Sequence, residues 1–229
     1  MVDNASSDFS LILASSVHDM KNSLGMLLHS LEEAIADTPV QSERQARQFA
    51  TLQYEASRIN GELIQLLSIY RMQENRMPIV IDDCYLEDVI EEQVARNHML
   101  FETRGVQVEV DCDSDLNWYF DGELVGSVIN NILVNCARYS KEKILVNAAI
   151  VDEVLELRIS DDGFGYPDVM LEAPAALSQS AGFESGSTNL GLFFAVKVAT
   201  MHTRGEMGGE VKLSNNSVLG GGEFLLRIP

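Results

Sequence analysis

Two long stretches near the start of the chain repeat apolar residues at the three- and four-residue steps of a helix. In the first, from about Phe9 to Ala36, the repeated positions are Val17, Met20, Leu24, Leu27, Leu31 and Ile35. In the second, from about Ser42 to Glu74, they are Phe49, Leu52, Ala56, Ile59, Leu63, Leu66 and Tyr70. Because Asp37-Thr38-Pro39 breaks the pattern between them, the two stretches predict a long antiparallel helical hairpin.

A hairpin of two helices leaves part of each apolar seam uncovered. Pairing two hairpins into a four-helix bundle would cover both seams, so the pattern favours a homodimer. A single coiled hairpin within one chain is the alternative.

After a linker at Asn75–Pro78 the pattern changes to alternating helices and strands, which divides the chain into residues 1–77 and 78–229. Helices are predicted at about residues 85–104, 121–139 and 190–202, and a loop at about 163–188. Strands are predicted at about residues 106–112, 143–149, 154–160, 210–214 and 223–228. This order is typical of an α/β sandwich, a mixed sheet with helices on one face, so the predicted fold class of the whole chain is α+β.

Acidic residues outnumber basic ones by 35 to 16, which gives a net charge of −19. The excess, concentrated in residues 78–229, argues against binding nucleic acid or an anionic membrane through general electrostatics. The longest uncharged run, Leu124–Ala137, is too short to span a bilayer, and we expect a cytoplasmic chain. Cys84, Cys112 and Cys136 form no CxxC pair, and each is expected to be a small buried apolar residue.

His18 is followed directly by an acid, Asp19, and four residues on by an amide, Asn22. It lies one position past the seam, so its ring is expected beside the seam and in solvent. An adjacent acid can hold one ring nitrogen protonated and leave the other free to act as a nucleophile. A surface histidine without a function is the open alternative. His29 lies on nearly the same face but lacks both the adjacent acid and the amide.

Polar residues also share one face of the predicted helix at 121–139. Asn131, Asn135 and Arg138 lie opposite apolar residues at helical spacing. Two amides and a guanidinium suit a hydrated magnesium ion and a polyphosphate, and a solvated polar face would look similar.

Two glycine-containing stretches follow. Asp161-Asp162-Gly163-Phe164-Gly165 comes directly after a predicted strand, where its glycines permit a sharp turn and close approach of a ligand. Asn189-Leu190-Gly191 opens a predicted helix, where backbone N–H groups can bind phosphate. Each signal is weak alone, because plain turns and ordinary helix caps look alike.

In this order the stretches resemble the sensor histidine kinases of two-component signalling. His18 to Asn22 is similar to the H box of that family, and Asn131 to Tyr139 is similar to its N box. Asp161 to Gly165 and Asn189 to Leu192 are similar to its two glycine boxes, and Gly222 to Pro229 is similar to its closing strand.

The resemblance implies two domains and one reaction. Residues 1–77 would be the dimerisation and histidine-phosphotransfer domain, and residues 78–229 would be an ATP-binding catalytic domain of Bergerat type. His18 would take the phosphoryl group from ATP and pass it to an aspartate on the receiver domain of a response regulator. Asp19 would orient the imidazole, and Asn22 would place water for dephosphorylation of the regulator.

The resemblance also implies a site for ATP and Mg²⁺. The residues implied for nucleotide binding are Asn131, Asn135, Arg138, Tyr139, Asp161, Gly163, Gly165, Asn189, Leu190 and Gly191. Asn135 would ligate Mg²⁺, and Asp161 would accept a hydrogen bond from the adenine amino group. Residues 166–188 would form a lid over the nucleotide.

Two other functions are compatible with this architecture. A dimeric histidine phosphotransferase with weak or no ATP binding would need neither Asn135 nor Asp161. An anti-sigma-type serine kinase would not need the hairpin that carries His18. No sensor domain is visible, so the chain is either the core of a longer kinase or a kinase controlled by a separately encoded sensor protein.

Overall fold

A computed structural model of the protein describes residues 19–20, 22–27, 29–30, 33, 43–74, 77–172 and 190–229. The chain divides into two compact units, Met1–Pro78 and Ile79–Pro229. Within the described part of the chain, no helix is long and apolar enough to cross a membrane.

The first unit has helical backbone at residues 19–20, 22–27, 29–30 and 33, followed by helix α1, which spans Glu43–Gln73. The bounds of α1 differ by one residue at each end from the predicted helix at 42–74. Ala56 is buried, whereas Leu52 and Ile59 of the predicted seam are exposed. The predicted break at Asp37-Thr38-Pro39 lies outside the described residues.

The second unit is built around a five-stranded mixed sheet. The described strands are β1 (Asp82–Tyr85), β2 (Gln107–Asp111), β3 (Asn117–Phe120), β4 (Lys143–Val151), β5 (Val154–Asp161), β6 (Thr203–Arg204), β7 (Met207–Gly208), β8 (Glu210–Ser214) and β9 (Glu223–Ile228). The main sheet has the order β2-β4-β5-β9-β8, with β2 and β4 parallel and the other neighbours antiparallel. Two antiparallel ribbons, β1-β3 and β6-β7, lie outside it.

Five helices of the second unit are described: α2 (Leu86–Arg96), α3 (His98–Arg104), α4 (Gly122–Tyr139), α5 (Asp168–Glu172) and α6 (Leu190–Met201). Helix α4 has a side-chain cap, because Asp121 Oδ1 accepts a hydrogen bond from the backbone N–H of Leu124 at 3.0 Å. This cap fixes where the helix that carries the predicted N box begins.

The core lies between α4, α6 and one face of the sheet. Val146, Ile159 and Phe224 are aligned across β4, β5 and β9, and all three are fully buried. Alternation along each strand places apolar residues on this face, as a sheet with one covered side requires. The mixed sheet and its helices confirm the predicted α+β class.

The opposite face of the sheet carries a ladder of alternating charges. Arg227 lies 2.8 Å from Glu210 and 3.0 Å from Glu156, on the two neighbouring strands. Arg158 pairs with Glu156 and, at 3.4 Å, with Glu223. Opposite charges therefore face each other across β5, β8 and β9 on this side of the sheet.

The prediction of a single helix at 85–104 is wrong, because Asn97 separates this stretch into α2 and α3. The Asn97 amide donates to the carbonyl of Gln93 at 2.8 Å and to Asn130 Oδ1 of α4 at 2.7 Å. An asparagine side chain that hydrogen-bonds to a backbone carbonyl of the preceding turn competes with the backbone hydrogen bonds of the helix. Here the second hydrogen bond, to Asn130 of α4, holds the Asn97 side chain in place.

The shortest elements were not predicted from the sequence. Strands β1, β3, β6 and β7 are two to four residues long, too short for a periodic pattern. The predicted loop at 163–188 contains α5, and its residues from 173 onward lie outside the described part of the chain.

The prediction that every cysteine is buried is wrong for two of them. All three are free thiols, but only Cys136 is buried, while Cys84 and Cys112 are half-buried. Burial and neighbouring carboxylates raise the pKa of Cys112 to about 11, so this thiol stays protonated at neutral pH.

Candidate functional site

Asp161, the last residue of β5, has a buried carboxylate whose two oxygens differ. Oδ1 accepts hydrogen bonds from the backbone N–H groups of Gly163 at 2.7 Å and Gly222 at 3.2 Å. Oδ2 faces the thiol of Cys136, with a sulfur–oxygen distance of 4.0 Å. A thiol is a weak donor, so one buried carboxylate oxygen retains capacity for a donor from a ligand.

The loop between β8 and β9 encloses the backbone of Asp161. The Asp161 carbonyl accepts hydrogen bonds from Ser217 Oγ at 3.0 Å and from the Gly221 N–H at 3.1 Å, and the Asp161 N–H donates to the Gly222 carbonyl at 2.9 Å. A Cβ atom at Gly221 would lie 2.5 Å from the Asp161 carbonyl oxygen. These loop residues were not predicted to belong to the site, although the run Gly220-Gly221-Gly222 is a visible signal in the sequence.

Asp162 holds the other side of the turn. Its carboxylate accepts hydrogen bonds from the backbone N–H groups of Lys141 at 2.8 Å and Glu142 at 3.0 Å. Partial burial would raise the pKa of this carboxyl group, but the backbone donors outweigh that effect and hold it below its ordinary value. The two adjacent acids therefore act differently: Asp162 fixes the loop after α4, and Asp161 faces inward.

The polar face predicted on α4 is present. Ile129, Leu133 and Cys136 are buried on one side, and Asn135 and Arg138 are exposed on the other. The Arg138 guanidinium lies 5.3 Å from the centre of the Tyr139 ring, which is also exposed.

Asn131 lies between these two faces. Its Nδ2 atom is buried and has no hydrogen-bond partner among the described residues. A buried amide without a partner is costly, and a ligand oxygen would satisfy it.

Gly191 brings the start of α6 against Asn131. A Cβ atom at Gly191 would lie 2.1 Å from Asn131 Nδ2, so any larger residue would displace that side chain. Leu190 is the first residue of α6, and Asn189 lies outside the described residues. The stretches that resemble the N box and the second glycine box are therefore in contact.

The glycines of the first glycine stretch make room for protein atoms. A Cβ atom at Gly163 would lie 2.4 Å from the carbonyl oxygen of Tyr139. Gly165 has a φ of 78°, and a Cβ atom there would lie 2.5 Å from Asn215 Oδ1. The turn thus packs against the end of α4 on one side and against the β8–β9 loop on the other.

Of the predicted phosphotransfer residues, Asp19 and Asn22 have helical backbone and exposed side chains. They are three positions apart, on neighbouring turns of one helical face. His18 lies outside the described residues.

Comparison with known proteins shows which proteins the chain resembles. Residues 120–229, which contain α4, the first glycine stretch and α6, match the model of the histidine kinase-, DNA gyrase B- and HSP90-like ATPases. The sensor protein kinase GraS of Staphylococcus aureus is 28% identical over 160 residues, covering 65% of this chain and 46% of GraS. The chain is therefore similar to sensor histidine kinases.

A second relative is the histidine-protein kinase AfsQ2 of Streptomyces coelicolor, 25% identical over 183 residues, which cover 76% of this chain and 31% of AfsQ2. The chain therefore spans less than half the length of either relative.

Solved structures of histidine kinases share the fold. The histidine kinase AdeS of Acinetobacter baumannii aligns over 92% of this chain and 96% of its own, with a TM-score of 0.60 and 17% identity. Full-length ShkA, solved with AMPPNP, aligns over 95% of this chain and 45% of its own, with a TM-score of 0.65 and 15% identity. The resemblance to the sensor histidine kinases drawn from the sequence is thus confirmed, and the matched ATPase model covers residues 120–229 of the second unit.

Proposed function

We propose that the chain is an ATP-dependent protein-histidine kinase that phosphorylates itself on His18 and passes the phosphoryl group to an aspartate of a response regulator. We also propose that it dephosphorylates that regulator. The observation that carries the proposal is the Asp161 carboxylate, buried at 7% exposure with one oxygen left to a weak thiol donor.

The chemistry of Asp161 suits an adenine base. Its Oδ1 is occupied by two backbone donors, so Oδ2 is the oxygen that can accept from an exocyclic amino group. A buried acceptor that lacks a strong partner favours a ligand that brings a donor and disfavours one that brings a second acceptor. The solved complex of ShkA with AMPPNP, an analogue of ATP, supports the same ligand class.

The polar face of α4 suits the phosphates. Asn131 has a buried amide nitrogen without a hydrogen-bond partner among the described residues, and Arg138 supplies an exposed guanidinium on the same helix. The described residues contain no group of three or more His, Cys, Asp and Glu side chains that could hold a metal ion by themselves. Asn135 as a lone protein ligand fits Mg²⁺, because this ion keeps several waters and binds largely through substrate phosphates. When bound, Mg²⁺ would neutralise phosphate charge.

The residues proposed for phosphoryl transfer, His18, Asp19 and Asn22, belong to the first unit. In the proposed step, Nε2 of His18 forms a bond to the γ-phosphorus of ATP while the bond from that phosphorus to the bridging oxygen breaks, and ADP leaves. Asp19 would hold the Nδ1 proton, which keeps Nε2 unprotonated for attack. Asn22, whose amide cannot act as a base, would place a water molecule for the phosphatase reaction.

A homodimer built from a four-helix bundle would complete the first unit. In a single chain the seam residues Met20 and Leu27, seven positions apart, are 56% and 54% exposed, and Leu52 and Ile59, also seven apart, are 56% and 42% exposed. Exposed apolar residues at helical spacing are typical of an interface between helices. The dimeric phosphotransferase with weak ATP binding is less favoured. Such a protein would not need a buried carboxylate oxygen at Asp161 and a buried amide nitrogen at Asn131 that can still bind a ligand.

Incubation of the purified chain with γ-labelled ATP and Mg²⁺ tests the proposal. The wild type and His29→Ala should take up label, and His18→Ala should not. His29 is a suitable control, because it is exposed in the same segment and its ring lies 3.6 Å from Glu33 rather than beside an adjacent acid. Mass spectrometry under alkaline conditions, which preserve phosphohistidine, should locate the phosphoryl group on His18. Label that persists in His18→Ala would refute the assignment.

A further inference from the structure

The carboxamide of Asn215 forms hydrogen bonds with both backbone polar groups of Tyr166. The Tyr166 N–H donates to Asn215 Oδ1 at 2.6 Å, and Asn215 Nδ2 donates to the Tyr166 carbonyl at 2.9 Å. The side chain thus pairs with Tyr166 as a neighbouring strand would, across 49 positions of sequence. One residue fixes the backbone of the other at the point where the glycine turn ends.

Gly165 is the residue that makes this contact possible. Its φ of 78° is a conformation that residues with a side chain rarely adopt, and a Cβ atom there would lie 2.5 Å from Asn215 Oδ1. Gly165 therefore leaves room for the Asn215 carboxamide and also allows the backbone conformation of the turn.

The ring of Tyr166 points toward the carboxylate of Asp161. A Cβ atom at Gly222 would lie 2.9 Å from Tyr166 Cε2 and also 2.9 Å from Asp161 Oδ2, so the ring edge and that oxygen border the same small space. Burial, with the nearby Cys136 and Asp161, raises the pKa of the Tyr166 hydroxyl well above its ordinary value, so this wall of the space is uncharged.

We propose that Asn215 is a positioning residue for recognition of the nucleotide base. By fixing the backbone of Tyr166, it holds the Tyr166 ring beside Asp161 Oδ2 and so shapes the pocket in which the base amino group meets that oxygen. Asn215 acts through Tyr166 and does not itself contact the nucleotide. This inference rests on the proposed binding of ATP.

The test compares two nucleotides on three forms of the full chain. ATP and inosine triphosphate differ at the base, because inosine carries a carbonyl oxygen where adenine carries the amino group. Titration calorimetry with each nucleotide and Mg²⁺ should be carried out on the wild type, Asn215→Ala and Asn216→Ala. Asn216 is the matched control, because it is the adjacent exposed asparagine and is bound through its backbone N–H, which donates to Ser214 Oγ at 3.3 Å.

The wild type and Asn216→Ala should prefer ATP to inosine triphosphate by the same ratio. In Asn215→Ala the affinity for ATP should fall by about tenfold, the loss expected for a distorted hydrogen-bonding pocket, while the affinity for inosine triphosphate changes little. Hydrogen exchange of the Tyr166 amide without nucleotide should also be faster in Asn215→Ala than in the other two forms.

The outcomes separate the inference from the proposed function. An unchanged ratio in Asn215→Ala, whether both affinities persist or both fall equally, would overturn the positioning role, while binding of ATP by the wild type would still support the proposed function. Failure of the wild type to bind either nucleotide would overturn the proposed function and this inference with it. Unchanged protection of the Tyr166 amide in Asn215→Ala would contradict the contact itself.

Discussion

At the scale of single residues, His202 joins the end of α6 to the start of α4 through both of its ring nitrogens. Nε2 accepts a hydrogen bond from the backbone N–H of Asp121 at 3.0 Å, which requires the proton to be on Nδ1, 2.8 Å from the carbonyl of Val198. Burial lowers the pKa of His202 below its ordinary value of 6.5, against weaker opposing effects of Val198 and Asp121. The neutral ring is therefore part of the folded structure.

We expect the free energy of unfolding to decrease in mild acid because of His202. Because the folded pKa lies below the unfolded one, the unfolded chain binds more protons, and the contribution of His202 is full above about pH 6.5 and is lost as pH falls toward the folded pKa. Urea denaturation followed by the fluorescence of Trp118 should show this decline in the wild type and a smaller decline in His202→Gln. The other three histidines are the same in both forms. Identical pH profiles for the two would contradict the prediction.

The glycines show what sequence could and could not give at this scale. Gly163, Gly165 and Gly191 were recognisable as required glycines from their spacing. Their partners were not, because Asn215 and Tyr139 approach them only through the tertiary structure. The residues that line the site from the β8–β9 loop were missed for the same reason.

At the scale of elements, the hairpin of β4 and β5 turns through two residues that are unusual in their conformation. Asp152 and Glu153 have φ values of 51° and 61°, as a type I′ turn requires, although neither is glycine. Arg204 Nη2 donates to the Glu153 carbonyl at 2.8 Å and so supports the turn from the β6-β7 ribbon.

Replacing Glu153 by glycine should stabilise the second unit. A residue with a side chain costs roughly 1–2 kcal/mol in this conformation, part of which glycine recovers, so we expect a gain of about 1 kcal/mol. The ion pair lost with the side chain is a long one at 3.7 Å on an exposed carboxylate and contributes little. Glu153→Ala is the control, because it removes the same ion pair and keeps the strain. Chemical denaturation should rank Glu153→Gly above the wild type and Glu153→Ala no higher than the wild type.

Element length decides which elements the sequence could predict. Helices α1 and α4 and strands β4, β5, β8 and β9 follow clear periodic patterns, and their observed bounds differ little from the predicted ones. The short ribbons leave no such pattern, since their position depends on pairing such as that of Cys84 with Trp118, which is non-local. The break at Asn97 depends on Asn130 of another helix.

At the scale of the whole molecule, the predicted dimer seam and the predicted nucleotide site fall on different units. The seam residues belong to Met1–Pro78, and Asn135 belongs to Ile79–Pro229. The side chain of Asn135 is exposed on α4, so removing it should not disturb the core.

We therefore expect Asn135→Ala to abolish binding of Mg²⁺–ATP while the dimer persists. Calorimetry reports the first property and light scattering the second. Asn216→Ala, an exposed asparagine outside α4, should retain both. Unchanged nucleotide affinity in Asn135→Ala would remove this residue from the site, and loss of the dimer would show that the two units are coupled.

The proposed transfer to a response regulator gives Asp19 and Asn22 different roles. Asp19 and Asn22 are both exposed on helical backbone, but a carboxylate and an amide have different chemistry. Asp19 would serve the attack of the imidazole on ATP, whereas Asn22 would hydrogen-bond a water molecule in line with the aspartyl phosphate of a docked regulator.

Asn22→Ala should therefore separate the two activities. It should retain autophosphorylation and transfer to the regulator but lose most of the phosphatase activity, while Asp19→Ala should lose autophosphorylation. Ser30→Ala, which alters another exposed polar residue of the same segment, should retain all three. The assay uses the regulator in its phosphorylated form and follows its decay with each variant. If the phosphorylated regulator decays as fast with Asn22→Ala as with the wild type, the Asn22 amide does not position the water. Alanine has no side-chain group that could replace its hydrogen bond to that water.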